Sequence, residues 1–199
     1  GCSSLTEVAI PNSVTIISYS AFLNCTSLKT IDLPSSLTMI YAGAFQGCTA
    51  LTGIEIPSSV TEISWNVFDG CDSLHTVIFA GGAPLLDDDC FDDVTATVFY
   101  PKEVQNPAWT EENMLQYGGT LTWRVNELTI TFHTGGGTAV APQTTLYGGS
   151  AAKPDPDPER TGHTFDGWYA DAACTQAFDF ETATITDDTT IFAKWTRKG

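Results

Sequence analysis

The segment Leu28-Lys-Thr-Ile31-Asp-Leu33-Pro34-Ser-Ser36-Leu37 recurs on both sides of itself. It stands upstream as Leu5-Thr-Glu-Val8-Ala-Ile10-Pro11-Asn-Ser13-Val14 and downstream as Leu51-Thr-Gly-Ile54-Glu-Ile56-Pro57-Ser-Ser59-Val60. Cys2, Cys25, Cys48 and Cys71 keep the same 23-residue period, as do Phe22, Phe45, Phe68 and Phe91. A unit this short cannot bury its apolar face alone, so each must stack on the next. An array built this way leaves a long surface exposed, which favours binding over catalysis.

Within a unit, Leu-x-x-Val-x-Ile alternates as a strand does, with Val and Ile inward and the residues between them toward water. Proline follows and ends the segment, because it has no N–H to give to a ladder. The second half, Val14-x-x-Ile17-x-x-x-Ala21-Phe22, returns the chain along the far wall. Apolar columns run through Ile17, Ile40, Ile63, Leu86 and through Ala21, Ala44, Val67, Cys90. The fourth unit, Leu74-His-Thr-Val77-Ile-Phe79, loses its proline and drifts toward a cap.

The pattern is close to the leucine-rich repeat, with Ser13, Ser36 and Ser59 where that family carries asparagine. With the Pro-x-Ser-Val turn and the Ala-Phe-x-x-Cys close, residues 1 to 93 resemble the BspA-like leucine-rich repeats of bacterial surface proteins. Gly1-Cys2 already lies in phase with the period, so a leader and further upstream repeats are expected outside this chain.

Six cysteines admit a disulfide framework in an exported protein. Successive rungs lie about 4.8 Å apart, within disulfide reach, yet equivalent side chains point in parallel rather than toward each other. That geometry favours a buried thiol column over rung-to-rung disulfides, and it assigns Cys2 to packing rather than to lipid attachment.

Residues 94 to 125 read as a C-terminal cap. Ala96 to Tyr100 and Leu121 to Val125 are strand-like, Pro107 to Tyr117 reads as a short helical segment ended by Gly118-Gly119, and Trp109 and Trp123 are its expected plug. Residues 126 to 199 change style. Thr131, Phe132, Gly136, Gly137, then Arg160, Thr161, Gly162, Thr164, Phe165, Gly167, Trp168, Tyr169, then Phe192, Ala193, Lys194, Trp195 resemble the internalin B-repeat, also called the Listeria-Bacteroides repeat. The resemblance implies a small β-grasp-like (α+β) module on a bacterial surface protein and brings no catalytic residue. The expected architecture is therefore mainly β: a leucine-rich-repeat solenoid with cap over 1–125, then this module over 126–199.

Net charge is −16, from 24 acidic and 8 basic residues, which argues against nucleic acid and anionic membrane as partners. No apolar run approaches the roughly 18 residues of a spanning helix, so no membrane insertion by this segment is expected. Nucleophile elbows, phosphate loops and dinucleotide fingerprints are missing from the sequence, and His75, His133 and His163 lack ligand spacing. Asp87, Asp88 and Asp89, with Asp92 and Asp93, are a weak calcium candidate, since calcium takes six to eight oxygen ligands, set against a solvated acidic turn. No cofactor is expected.

Tyr19, Tyr41 and Trp65 fall in return-wall columns that face outward if Ile17, Ile40 and Ile63 face in, and exposed aromatics anchor interfaces. The functional expectation is a non-catalytic surface or secreted protein. It would adhere through its repeats to a host, matrix or neighbouring-cell protein or glycan. The alternative is a structural stalk whose active domain lies outside this chain.

Overall fold

The computed structural model describes residues 1–103 and 107–199, so part of the expected cap, 104–106, lies outside the described residues. The chain divides into two compact units, Gly1–Asn126 and Glu127–Gly199. All regular structure in both is β, with no α-helix among the described residues.

Two parallel sheets form the walls of the first unit. Ile16–Ile17 (β1), Met39–Ile40 (β2), Glu62–Ile63 (β4) and Leu85–Leu86 (β6) make the return wall. Gly53–Ile56 (β3), Thr76–Phe79 (β5), Thr95–Tyr100 (β7) and Thr120–Val125 (β8) make the other. Register follows the sequence columns, Ile17 against Ile40 against Ile63 against Leu86, and Ile54 against Val77 against Val98. Two columns of left-handed residues bend each rung: Ser20, Gly43 and Asn66, then Asn24, Gly47, Gly70 and Asp93. Glycine, asparagine and aspartate tolerate this conformation best, and they hold six of these seven positions, Ser20 being the seventh.

The core between the walls is a pile of equivalent side chains. Phe22, Phe45, Phe68 and Phe91 stack with centroids 5.2, 5.7 and 5.0 Å apart and planes within 16°, and Phe45 and Phe68 are fully buried. Cys25, Cys48, Cys71 and Cys90 are buried, and all six thiols are free. The Cys48 and Cys71 thiols donate to the carbonyls of Phe22 and Phe45, each at 3.2 Å. Burial pushes their pKa up, to about 11 for Cys48 and about 12 for Cys71, so both stay protonated and inert at neutral pH. The serines that replace asparagine do comparable work: Ser36 Oγ donates to Val14 O at 2.7 Å and Ser59 Oγ to Leu37 O at 2.5 Å.

Four expectations need correction. Cys2 is exposed, not packed, because it sits in the first rung and has a neighbouring rung on one side only. The front ladder is regular only from β3 onward, with a single Ala9–Asp32 bridge before it. Interstrand N···O distances tighten along the array, from 3.4 Å at Lys29–Thr6 to 2.9 Å at Thr97–His75. Thr76, expected to face water, is buried between strands on both sides, its hydroxyl 3.0 Å from His75 Nδ1. Finally, the expected helix at Pro107 to Tyr117 is a single turn, in which Asn113 and Met114 N both bond Thr110 O and the Asn113 side chain caps Thr110 N. Eleven residues, Pro107 to Tyr117, hold too little helix to offset its nucleation penalty when Trp109 is drawn elsewhere.

Trp109 is drawn to the open end of the core. Its ring lies 4.8 Å from Phe79 and 5.4 Å from Trp123, and its Nε1 donates to Gly81 O. Trp123 Nε1 donates to Leu115 O, so each indole buries its ring without orphaning its N–H. β7 and β8 add two further parallel strands behind them, continuing the front sheet over the last rung.

The second unit holds Leu128–His133 (β9), Gln143–Thr145 (β10), His163–Tyr169 (β11) and Thr189–Arg197 (β12) in the order β10-β9-β12-β11. β9 and β12 are parallel and central, flanked by antiparallel neighbours, as a β-grasp-like sheet requires. The helix that an α+β module would add is replaced by turns, one organised by Asp171. Its carboxylate accepts the Gln176 and Thr175 N–H groups, which hold its pKa below the usual range. Alternation in β9 buries Leu128, Ile130 and Phe132. A bulge with Gly167 at φ 120° turns Trp168 inward, 5.1 Å from Phe132. Trp195 Nε1 donates to Thr134 O, and a Cβ on Gly137 would meet that indole at 2.5 Å, which fixes glycine there.

Two outcomes follow from this packing. Thiol titration of the native chain should find Cys2 and Cys174 reactive and the other four protected, with all six reacting in denaturant; loss of two or more would mean disulfides. Phe45→Ala, stacked on both faces, should cost about 3 to 5 kcal/mol in urea unfolding. Phe22→Ala, half-buried, should cost clearly less, and equal losses would refute the column.

Candidate binding surface

The return wall is made outward-facing by strict alternation in two-residue strands. Ile17, Ile40 and Ile63 point in and are at most 3% exposed, so their neighbours Ile16, Met39, Glu62 and Leu85 must point out. Ile16 is 42% and Leu85 74% exposed. Hydroxyl groups lace the edge of the wall, Thr38 Oγ1 to Thr15 O and Thr61 Oγ1 to Thr38 O.

Shortly after β1, β2 and β4 come the aromatics, where β6 is followed by Asp87. Tyr19 is 67% and Trp65 61% exposed, while Tyr41 is half-buried. The Tyr19 and Tyr41 rings stack at 4.7 Å and 11°, bridging adjacent rungs on the outside much as the phenylalanines do within. The three residues expected to face out are thus brought to one wall. Their backbone is held by rung-to-rung bonds, Tyr41 N to Ile17 O and Gly43 N to Trp65 O. Lys29 is the sole Lys or Arg before residue 102, so this wall has aromatic and aliphatic surface, hydroxyls and carboxylates.

The acidic turn is arranged differently from its sequence grouping. Asp87, Asp88 and Asp89 do not converge among the described residues. The carboxylates that do are Asp69, Asp92 and Asp93, all within 4.8 Å of one another. The signal was present in the period: Gln46, Asp69 and Asp92 form a 23-residue column, and Gln46 Nε2 donates to Asp69 Oδ2 at 2.6 Å. Asp87 faces the return wall instead. Partial burial, then repulsion from Glu62, Asp89 and Asp88, raises its pKa.

Stacked rungs, a tryptophan-plugged end and an appended β module define a leucine-rich-repeat solenoid protein with a second surface-type domain. The chain belongs to the BspA type leucine rich repeat region family, which matches residues 1–104 in six copies. A Listeria-Bacteroides repeat domain matches residues 129–194. Both repeat families are typical of bacterial surface proteins and typically non-catalytic. Two relatives from Evansella cellulosilytica are similar over 103 residues: "Putative Gly-rich membrane protein" at 40% identity and "Putative membrane protein" at 38%. The match covers 49% of this chain but only 12% and 15% of those proteins. No helix among the described residues is long and apolar enough to cross a membrane.

Crowding at Asp87 has a pH signature. A carboxyl whose folded pKa is raised favours the fold when protonated, so its contribution is present at low pH and lost as pH rises through the folded pKa. Asp87→Asn should therefore raise the thermal midpoint at pH 7, and the difference from the parent should close as pH falls to about 3, below the ordinary carboxyl range. A difference independent of pH would refute the repulsion.

Proposed function

We propose that this chain is a non-catalytic cell-surface or secreted binding protein that adheres to a host, matrix or neighbouring-cell protein or glycan through the return wall of its repeats. The observation that carries this reading is the exposure of Tyr19 and Trp65, with Tyr19 stacked on Tyr41, on a wall that also exposes Ile16 and Leu85. A large aromatic left mostly in water while the inner columns are filled contributes little to folding beyond the Tyr19–Tyr41 stack. In an interface it supplies area at small entropic cost.

Rigidity supports the same reading. The wall is fixed by register between rungs, so its side chains are ordered before any partner arrives, which lowers the entropic cost of association. Such repeats are typical of bacterial surface proteins, which supports this reading, and the second unit then serves as a spacer or further contact module.

Binding of the full chain to an array of matrix proteins and glycans tests this. Tyr19→Ala with Trp65→Ala should weaken a hit by about tenfold or more, as interface hot spots do, while the chain stays folded and loses no more stability than one exposed ring stack supplies. A folded chain silent across the array, or a hit indifferent to the substitutions, would favour the stalk reading instead.

A further inference from the structure

We propose that the second unit carries a binding site for a carboxylate-bearing sugar, of the uronic-acid type, in the concavity that Arg160 and Lys194 share. This site is separate from the repeat wall and does not rest on the function assigned to it. The cavity measures about 540 Å³, and His133, Arg160, Cys174, Phe192, Lys194 and Trp195 are among its walls. Not one lining residue is Asp or Glu, although residues 126–199 hold 10 carboxylates against 5 Lys and Arg. In so acidic a unit, a concavity that gathers two cations and no anion is a local reversal of the field.

The two cations are held but not neutralised. Lys194 Nζ donates to Cys174 O at 3.1 Å and lies 4.7 Å from the centre of the Tyr169 ring. Both contacts position the ammonium and leave its charge intact. Arg160 packs beside the Gly136 backbone, where an added Cβ would lie 3.6 Å from its Nε. Among the described residues, neither has a carboxylate in ion-pair contact.

Chemistry then narrows the ligand. Lys and Arg only donate, so the ligand must accept, and the planar guanidinium fork fits a carboxylate through two parallel bonds. His133 and Phe192, rings 5.5 Å apart and tilted 48°, supply an apolar flank that a compact inorganic anion would leave unused. A pyranose ring bearing a carboxylate uses both. The volume is that of small-molecule sites, roughly 300 to 1,000 Å³, and too small to admit a folded protein.

Calorimetric titration of the full chain with trigalacturonate, its methyl ester, inorganic phosphate and a tetrapeptide with a free C-terminus tests this. The acid trimer should bind and the ester should not. Arg160→Gln should weaken binding by about tenfold or more, the worth of a charged hydrogen-bonded contact, and Arg160→Lys less, with thermal midpoints unchanged. If Arg160→Gln fails to fold, Lys194→Met provides the second variant. In a Cys2→Ser background, the trimer should slow alkylation of Cys174. Failure of the acid trimer to bind, or equal binding by the ester, overturns the proposal. So does an indifferent Arg160→Gln or Lys194→Met, or phosphate or tetrapeptide binding as tightly as the trimer.

Discussion

Everything in the first unit depends on one contact repeated: a phenylalanine lying flat on its own copy in the next rung. Centroid separations of 5.0 to 5.7 Å are close to the spacing between hydrogen-bonded strands, about 4.8 Å. The ring pile and the backbone ladder therefore advance together with little strain. That agreement fixes the period. The ring column therefore keeps 23 residues per rung from Phe22 to Phe91, while the front ladder beyond it steps by 21 residues from Thr76 to Thr97 and by 25 from Thr95 to Thr120.

Because the interior sets the period, the exterior is released from it. Outward positions on the return wall carry Ile16, Met39, Glu62 and Leu85 in one column, three apolar side chains of different shape and one carboxylate on strands of identical register. A scaffold with that division of labour can change its surface without losing its fold. The exposed Tyr19 and Trp65 stand on such positions, beside left-handed residues that turn the chain away immediately afterwards. The turn keeps the aromatic at the rim instead of folding it under the next strand.

The columns were legible in the sequence because stacking turns three-dimensional adjacency into a fixed offset. Buried Phe45, Cys48, Ile63 and Cys90 and the outward aromatics follow from that offset, while the tryptophan plug was legible from the need to cover an array's open end. Where adjacency is set otherwise, the sequence misled. Cys2 shares its column's chemistry but not its neighbours, since covering takes two rungs. Pro107 to Tyr117 has helix signals, yet burial of the Trp109 ring outweighs a local preference worth tenths of a kcal/mol per residue. Asp87, Asp88 and Asp89 are adjacent in sequence, but successive side chains diverge. Asp69 and Asp92, 23 residues apart, converge instead. The Arg160 and Lys194 concavity has no periodic signal at all, because a mixed sheet brings together residues from β12 and from the loop before β11.

The two units also differ in how charge is spent on their surfaces. Residues 1 to 125 carry 14 carboxylates and 3 cations, with Lys29 the sole Lys or Arg before residue 102. A net charge of −16 repels anions at long range, but the Debye length at physiological salt is about 8 Å. An acidic sugar that reaches the Arg160 concavity therefore feels the two cations lining it more than the carboxylates elsewhere. Short-range donors, not the overall field, decide what such a chain retains. The bulk acidity that argues against nucleic acid thus coexists with the anion site proposed here, and only side-chain placement, not composition, separates the two.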